Sequence, residues 1–273
     1  MPWFPDFVAA TELSRRDSRT VGRTDPVTQY LHAIEEGESK TLQSIWPGEI
    51  VIEDPRAGTI KDRRELRRFV RDNRARFTKL HATTEIIAST SVGRRAVVEI
   101  LAHLDDKGQE IRWPIAVVAE SPDDDSVRFR TYCSQWPVDG RRHVRPPILP
   151  AMDEQPKDVV GRHLKALAAG EVEAVVATFG EEGYVREPIG PHLSHQGLDA
   201  VRSFFAELFS YGGGIELEGT CITDDGTRCA FEYNFVHWGS HAVPPQAGLA
   251  VFERGPDGLL SAVRIYDDVE PPA

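Results

Sequence analysis

Two acids stand directly ahead of proline, Asp54 before Pro55 and Glu187 before Pro188, each closing a short apolar-rich run. Proline has no N–H, so one donor that would solvate the carboxylate is missing, and an apolar surrounding would then raise its pKa toward that of a working base. An acid that simply starts a turn before proline is the plainer reading and stays open beside the first. Tyr30 and His163 interrupt the apolar stripes of two helical segments, so the hydroxyl and the ring nitrogen must each meet a partner inside the domain. Core packing with one internal hydrogen bond accounts for both as simply as a catalytic role does. Strand alternation puts Glu99 with His103, and Glu232 with Asn234, on common faces, and Asp267 lies on the last apolar segment. Two carboxylates of different pKa in one pocket can act as acid and base, opening an epoxide or driving an aldol-type cyclisation. Alternation does not say which face is inside, so a solvent-facing position for these acids is equally open.

Other groups point away from specific chemistry. His192-xx-His195 and His237-xxx-His241 have metal-like spacing but no supporting acidic motif, so neither a metal nor a cofactor is called for. Cys133, Cys221 and Cys229 are odd in number and form no CxxC, which fits small buried thiols. Lys61, Arg63, Arg64, Arg67, Arg68, Arg71, Arg74 and Arg76 crowd one helix. A solvated face is the plain account; the sharper one is that Arg64, Arg67 and Arg71 dock an acidic carrier protein or a phosphorylated ligand. With 32 basic and 43 acidic side chains the net charge is −11, which disfavours nucleic acid and anionic lipid as partners. No apolar run reaches membrane-spanning length, and the start Met1 to Asp6 lacks the basic and apolar stretches of a signal peptide, so the expectation is a soluble cytoplasmic protein without membrane contact.

The elements that must position these residues come in two copies. Tyr30 to Glu38 matches His163 to Glu171 at an offset of 133 positions (163 less 30), and Glu53-Asp54-Pro55 keeps that offset against Arg186-Glu187-Pro188. Each copy opens on an apolar-striped helix: Asp25 caps and Pro26 begins the first, which Gly37 ends, and Asp158 and Gly170 frame the second. A short helix follows, with Trp46 or Phe179 at its end, then a short strand to the acid–proline pair and a third helix. Four β-rich segments complete each copy, at 82–91, 94–104, 111–120 and 127–136, then at 215–223, 227–238, 246–254 and 259–268. Helices followed by a strand meander predict an α+β class, with about three helices packed on a curved, mainly antiparallel sheet in each of two tandem domains. The expected organisation is an N-terminal helical extension over 1–24, a first domain over 25–137, an extended Pro-rich linker over 138–156 and a second domain over 157–273.

The run from Ala166 to Phe179, followed by Val185-Arg186-Glu187-Pro188-Ile189-Gly190, resembles the N-terminal half of ketosteroid isomerases, and Tyr30 with Glu53-Asp54-Pro55-Arg56-Ala57-Gly58 is similar to it. The wider group is the nuclear transport factor 2-like superfamily, with its SnoaL-type polyketide cyclases and tandem epoxide-opening cyclases, and the likeness covers roughly 25–137 and 157–270. It implies cone-shaped domains in which Asp54 and Glu187 match the base, Tyr30 matches the tyrosine donor and His163 replaces that tyrosine. The second oxyanion donor of the isomerases is missing, its places falling near Ala116 and Leu249. By the same likeness Glu99, His103, Glu232, Asn234, Trp46 and Phe179 face substrate, and Asp267 joins the catalytic set. The implied function is a cofactor-free isomerase or cyclase acting on an apolar polyketide-, terpenoid- or steroid-like small molecule. The alternatives are a non-catalytic ligand-binding or assembly module and an epoxide hydrolase or epoxide-opening cyclase. Single-domain relatives pair, so a fused chain can form an intrachain pseudo-dimer, with a homodimer as a further option.

Overall fold

Pro26 can begin a helix because the missing N–H is one that the first turn leaves unpaired anyway. In the computed structural model, which describes residues 26–269, it opens helix α1 (Pro26–Glu36), whose buried side carries Val27, Gln29, Tyr30, Ala33 and Ile34. The expected extension over 1–24 and the Asp25 cap lie outside the described residues. Gly37 ends α1 at a φ of 66°, a left-handed conformation that a Cβ disfavours, and the turn closes with Gly37 N donating to Ile34 O and Glu38 N to Ala33 O. Helix α5 (Val159–Ala169) ends in the same way at Gly170, φ 69°, with Gly170 N on Leu167 O and Glu171 N on Ala166 O. Its other end is capped by the Asp158 carboxylate on Val160 N.

After α1 come α2 (Lys40–Ile45), β1 (Ile50–Asp54), β2 (Gly58–Ile60), α3 (Arg63–Lys79), β3 (Thr83–Val92), β4 (Arg95–Asp106), β5 (Gln109–Glu120) and β6 (Val127–Tyr132). The chain then runs through α4 (Trp136–Asp139), α5, α6 (Val172–Val176), β7 (Phe179–Arg186), β8 (Ser194–Gln196), α7 (Leu198–Phe209), β9 (Ile215–Asp224), β10 (Arg228–Trp238), β11 (His241–Arg254) and β12 (Leu260–Tyr266). The two six-stranded sheets have the same order, β2-β1-β6-β5-β4-β3 and β8-β7-β12-β11-β10-β9. Each is antiparallel except where its first long strand pairs parallel to its last, β1 with β6 and β7 with β12. This is the duplicated α+β architecture that the sequence implies. The sequence reading did not include β2 and β8, and residues 133–136, expected to continue β6, instead lead into α4.

The chain divides between Tyr132 and Cys133 into two compact units. Residues 141–158 carry no helix or strand and are tied to the second unit. Arg145 O accepts from Ala247 N at 2.8 Å, Leu149 O from Asn234 Nδ2 at 3.2 Å, and Met152 N donates to Gly219 O at 2.7 Å. Prolines in this stretch cannot donate, so the strap is anchored by the carbonyls of Arg145 and Leu149 and by the N–H of Met152. The second unit's core gathers Val160, Leu167, Phe205, Phe231, Phe252 and Leu260 between α5, α7 and the sheet.

Candidate functional site

In the second unit that core does not close completely. A cavity of about 140 Å³ remains, walled by Leu167, Phe204, Phe205, Phe235, Phe252 and Val263, with His163, Glu187, Tyr233, Asp267 and Arg142 as its polar groups. An apolar hollow with a few convergent polar groups is the form that small-molecule sites take.

Glu187 reaches the cavity because it leaves the end of β7 in a turn held by Glu187 N on Leu193 O at 3.0 Å. The turn returns the chain as β8, in which Val185 pairs with His195, and His195 Nε2 comes 2.8 Å from Glu187 Oε1. The imidazole stacks on Phe204 at 4.4 Å and 26°, so its orientation is fixed from behind. One carboxylate oxygen of Glu187 is thereby held.

Across the cavity, Tyr233 on β10 donates its hydroxyl proton to Asp267 Oδ2 at 2.6 Å. Burial, the largest influence, pushes the Asp267 carboxyl above its ordinary value, against the lowering effect of the Tyr233 hydrogen bond. Asp267 is half-buried and lines the cavity, so the surface it retains faces that hollow. Its Oδ1 receives only a long 3.4 Å contact from Val269 N, which leaves that oxygen as the place for an acid proton. Tyr233 lies over Gly248, its partner across β10 and β11, where a Cβ would come within 2.4 Å of the ring. Arg142 closes one wall, with Nη1 on Val269 O at 2.7 Å and its guanidinium over Trp136 at 5.6 Å. His163 is 2 % exposed, and burial lowers its pKa to about 3, so the ring is neutral. Its ring packs T-shaped against Phe179, Phe205 and Phe252, with centroids 5.4, 5.7 and 5.5 Å apart, and Phe179 is not among the residues that line the cavity.

Glu232 and Asn234, expected on the cavity side, flank Tyr233 in β10 and point to the other face of the sheet, because Tyr233 and Phe235 take the inward positions. Asn234 binds the strap at Leu149 O instead. His195 entered the sequence reading only through its spacing to His192. Its pairing with Glu187 depends on β8, a strand of three residues that carries almost no periodicity of its own. Alternation along β10 fits either face as the inner one, so the sequence carries no signal that singles out Tyr233.

The first unit places its candidates differently. Asp54 Oδ1 accepts from Arg56 N at 2.9 Å and Ala57 N at 2.7 Å, so the next two amides supply what Pro55 lacks. Tyr30 is buried and stacks with Phe129 at 4.6 Å and Phe69 at 6.4 Å. Trp46 gives Nε1 to Gln29 Oε1 at 2.8 Å inside the core. Glu99 is 1 % exposed, whereas His103 is partly open between Glu85 and Glu110, 3.7 Å from each. The Asp54 turn borders a polar cleft of about 250 Å³ lined by Arg56, Ala57, Phe69 and Asn73 among others. Arg64, Arg67 and Arg71 are exposed on α3.

Strand register makes the contrast between the copies specific. Ile52 pairs with Ile60 where Val185 pairs with His195, so Ile60 stands at the histidine position. Ala116 pairs with Tyr132 as Leu249 pairs with Tyr266, which sets Cys133 against Asp267, and the repeat sets Ile100 against Tyr233. Among the described residues no group of three or more His, Cys, Asp or Glu is placed to hold a metal ion, and no helix is long and apolar enough to cross a membrane.

Fold and site together define a duplicated α+β cone domain with an acid-bearing apolar cavity in its second copy. The chain belongs to the SnoaL-like domain family, whose model matches residues 27–130 and again 160–263. Solved structures similar to it include a putative polyketide cyclase from Sinorhizobium meliloti, at 19% identity over 41% of this chain and 94% of that one, TM-score 0.34. An epoxide hydrolase/cyclase-like enzyme of pyran ring formation in the polyether salinomycin aligns at 20% identity over 40% and 86%, TM-score 0.34. A hypothetical protein with a ketosteroid isomerase-like fold from Catenulispora acidiphila, in complex with trimethylamine, aligns at 13% identity over 43% and 90%, TM-score 0.36.

Proposed function

We propose that the second unit is an acid–base catalyst, an isomerase or cyclase for an apolar polyketide-, terpenoid- or steroid-like ketone, with Glu187 as the base and Asp267 as the acid. The observation that carries this reading is that both carboxyl groups line one apolar cavity while a different partner stands behind each, His195 for Glu187 and Tyr233 for Asp267. Environments that separate two acids in this way assign them opposite roles. Glu187 removes a proton from the carbon beside the carbonyl, using the oxygen that His195 does not hold. Asp267, whose carboxyl is shifted by burial toward the protonated form, gives its Oδ1 proton or a hydrogen bond to the oxygen on which charge develops. Return of the proton at another carbon completes an isomerisation; attack of the enolate carbon on a second carbonyl closes a ring, and the alkoxide so formed takes up the proton that Glu187 removed. The same pair suits epoxide opening, with Asp267 protonating the departing oxygen and Glu187 accepting the proton of the attacking hydroxyl. His195 and Tyr233 are positioning residues in this scheme.

Hydrogen–deuterium exchange at the activated carbon of 2-tetralone, a bicyclic ketone, tests the base directly by NMR in D₂O. The wild-type protein is expected to accelerate exchange and Glu187→Gln to lose that acceleration by about 100-fold or more. Exchange in Glu187→Gln as fast as in wild type removes the proposal.

A further inference from the structure

We infer that His163 is the acceptor by which the cavity recognises its ligand, selecting a molecule whose buried end is a six-membered ring bearing a hydroxyl group. The cavity is the one assigned above, and the inference rests on that reading only for where the ligand sits.

Thr178 fixes the histidine's tautomer. Its Oγ1 lies 2.5 Å from Val175 O, and a carbonyl can only accept, so the one hydroxyl proton is committed there. Toward His163 Nδ1, 3.0 Å away, Oγ1 therefore acts as an acceptor, and Nδ1 must carry the ring proton. Nε2 is left as a bare lone pair in a neutral imidazole, with no hydrogen-bond partner among the described residues. This orientation reverses the role expected for His163 from its alignment with a tyrosine, which would donate. The imidazole packs T-shaped against Phe179, Phe205 and Phe252, so its immediate ring neighbours are apolar. A buried acceptor in such a place discriminates strongly for a ligand that brings a donor, because a ligand without one leaves it unsatisfied. Size narrows the class. The cavity's volume of about 140 Å³ is close to the roughly 150 Å³ of an engineered apolar cavity that admits benzene, so it takes one ring.

The test compares p-cresol with toluene, which differ by the hydroxyl alone, in calorimetric titrations of the full chain. Wild type is expected to prefer p-cresol by about tenfold, and His163→Phe to lose that preference by weakening p-cresol while leaving toluene in place. Equal affinities in wild type, binding of neither compound, or a preference retained in His163→Phe each overturn the assignment. Nitrogen-15 NMR of the wild-type imidazole gives a reading that needs no variant. Pyrrole-like Nδ1 and pyridine-like Nε2 shifts are expected, and the reverse pattern overturns the acceptor role. The p-cresol preference is measured on the wild-type chain, apart from any turnover. If 2-tetralone exchange fails while that preference stands, the catalytic reading falls and the recognition site remains; the opposite result separates them in the other direction.

Discussion

Asp267 links the proposed chemistry to stability through one half-buried carboxyl. Burial raises its carboxyl pKa above the ordinary value of 3.8, so the folded chain holds the proton at pH values where the unfolded chain has released it. Stability therefore falls as pH rises from the unfolded pKa through the raised folded one, the opposite of an acid held in an ion pair. Asp267→Asn keeps an acceptor for Tyr233 and removes the ionisable group, so its melting temperature is expected to exceed that of wild type at pH 7 and to converge with it near pH 4. A calorimetric series across that range measures this, and a gain that persists at pH 4 would assign the cost to something other than ionisation. The same substitution removes the proposed acid, so stability and turnover should move in opposite directions. His195 acts on Glu187 through a single 2.8 Å hydrogen bond. His195→Leu keeps an apolar contact to Phe204 and is expected to lower the 2-tetralone exchange rate by about tenfold with little change in KM, as loss of one hydrogen bond to a carboxylate implies. A change confined to KM would make His195 a wall of the site instead.

At the scale of elements, the β10–β11 pairing holds the acid in place. Tyr233 can lie flat across the sheet only because Gly248 opposite has no side chain; a Cβ there would stand 2.4 Å from the ring. Gly248→Ala is expected to displace the ring, break its 2.6 Å bond to Asp267, and cost about 1–3 kcal/mol in denaturant unfolding with a parallel loss of exchange activity. Unchanged stability and rate would mean that the tyrosine's position does not matter. This pairing also marks the limit of what could be read from sequence. Helix stripes such as Val27, Tyr30 and Ile34, the terminating Gly37 and Gly170, and the β-rich segments were legible because their signals are local. Which face of β10 looks inward was not, since α5 and α7 decide it from a distance and both faces are buried. Glu232 at 1 % and Asn234 at 5 % exposure are as enclosed as Tyr233 at 3 %. Burial alone could not have distinguished them. The acid–proline signal singles out Glu187, which lines the cavity, but its histidine partner depends on a three-residue strand that pattern reading does not detect.

Across the whole chain, duplication preserved the scaffold while the two sites diverged. Strand order and helix endings are shared, yet Ile60, Ile100 and Cys133 occupy the positions of His195, Tyr233 and Asp267. Each difference removes a polar group needed by the proposed chemistry, and three such changes in one copy leave Asp54 without either a histidine partner or an opposing acid. What Asp54 does instead is local: its Oδ1 binds Arg56 N and Ala57 N and closes the β1–β2 turn. Asparagine retains an acceptor oxygen at that atom, so Asp54→Asn is expected to keep the turn, the melting temperature and the 2-tetralone exchange rate close to those of wild type. Glu187→Gln, an equally conservative exchange at the matching position, is expected to lose the exchange activity with the fold intact. Because the two substitutions are chemically alike, their difference isolates the surroundings of each acid from its identity. Equal losses in both variants would mean that the first copy still performs chemistry despite its altered partners.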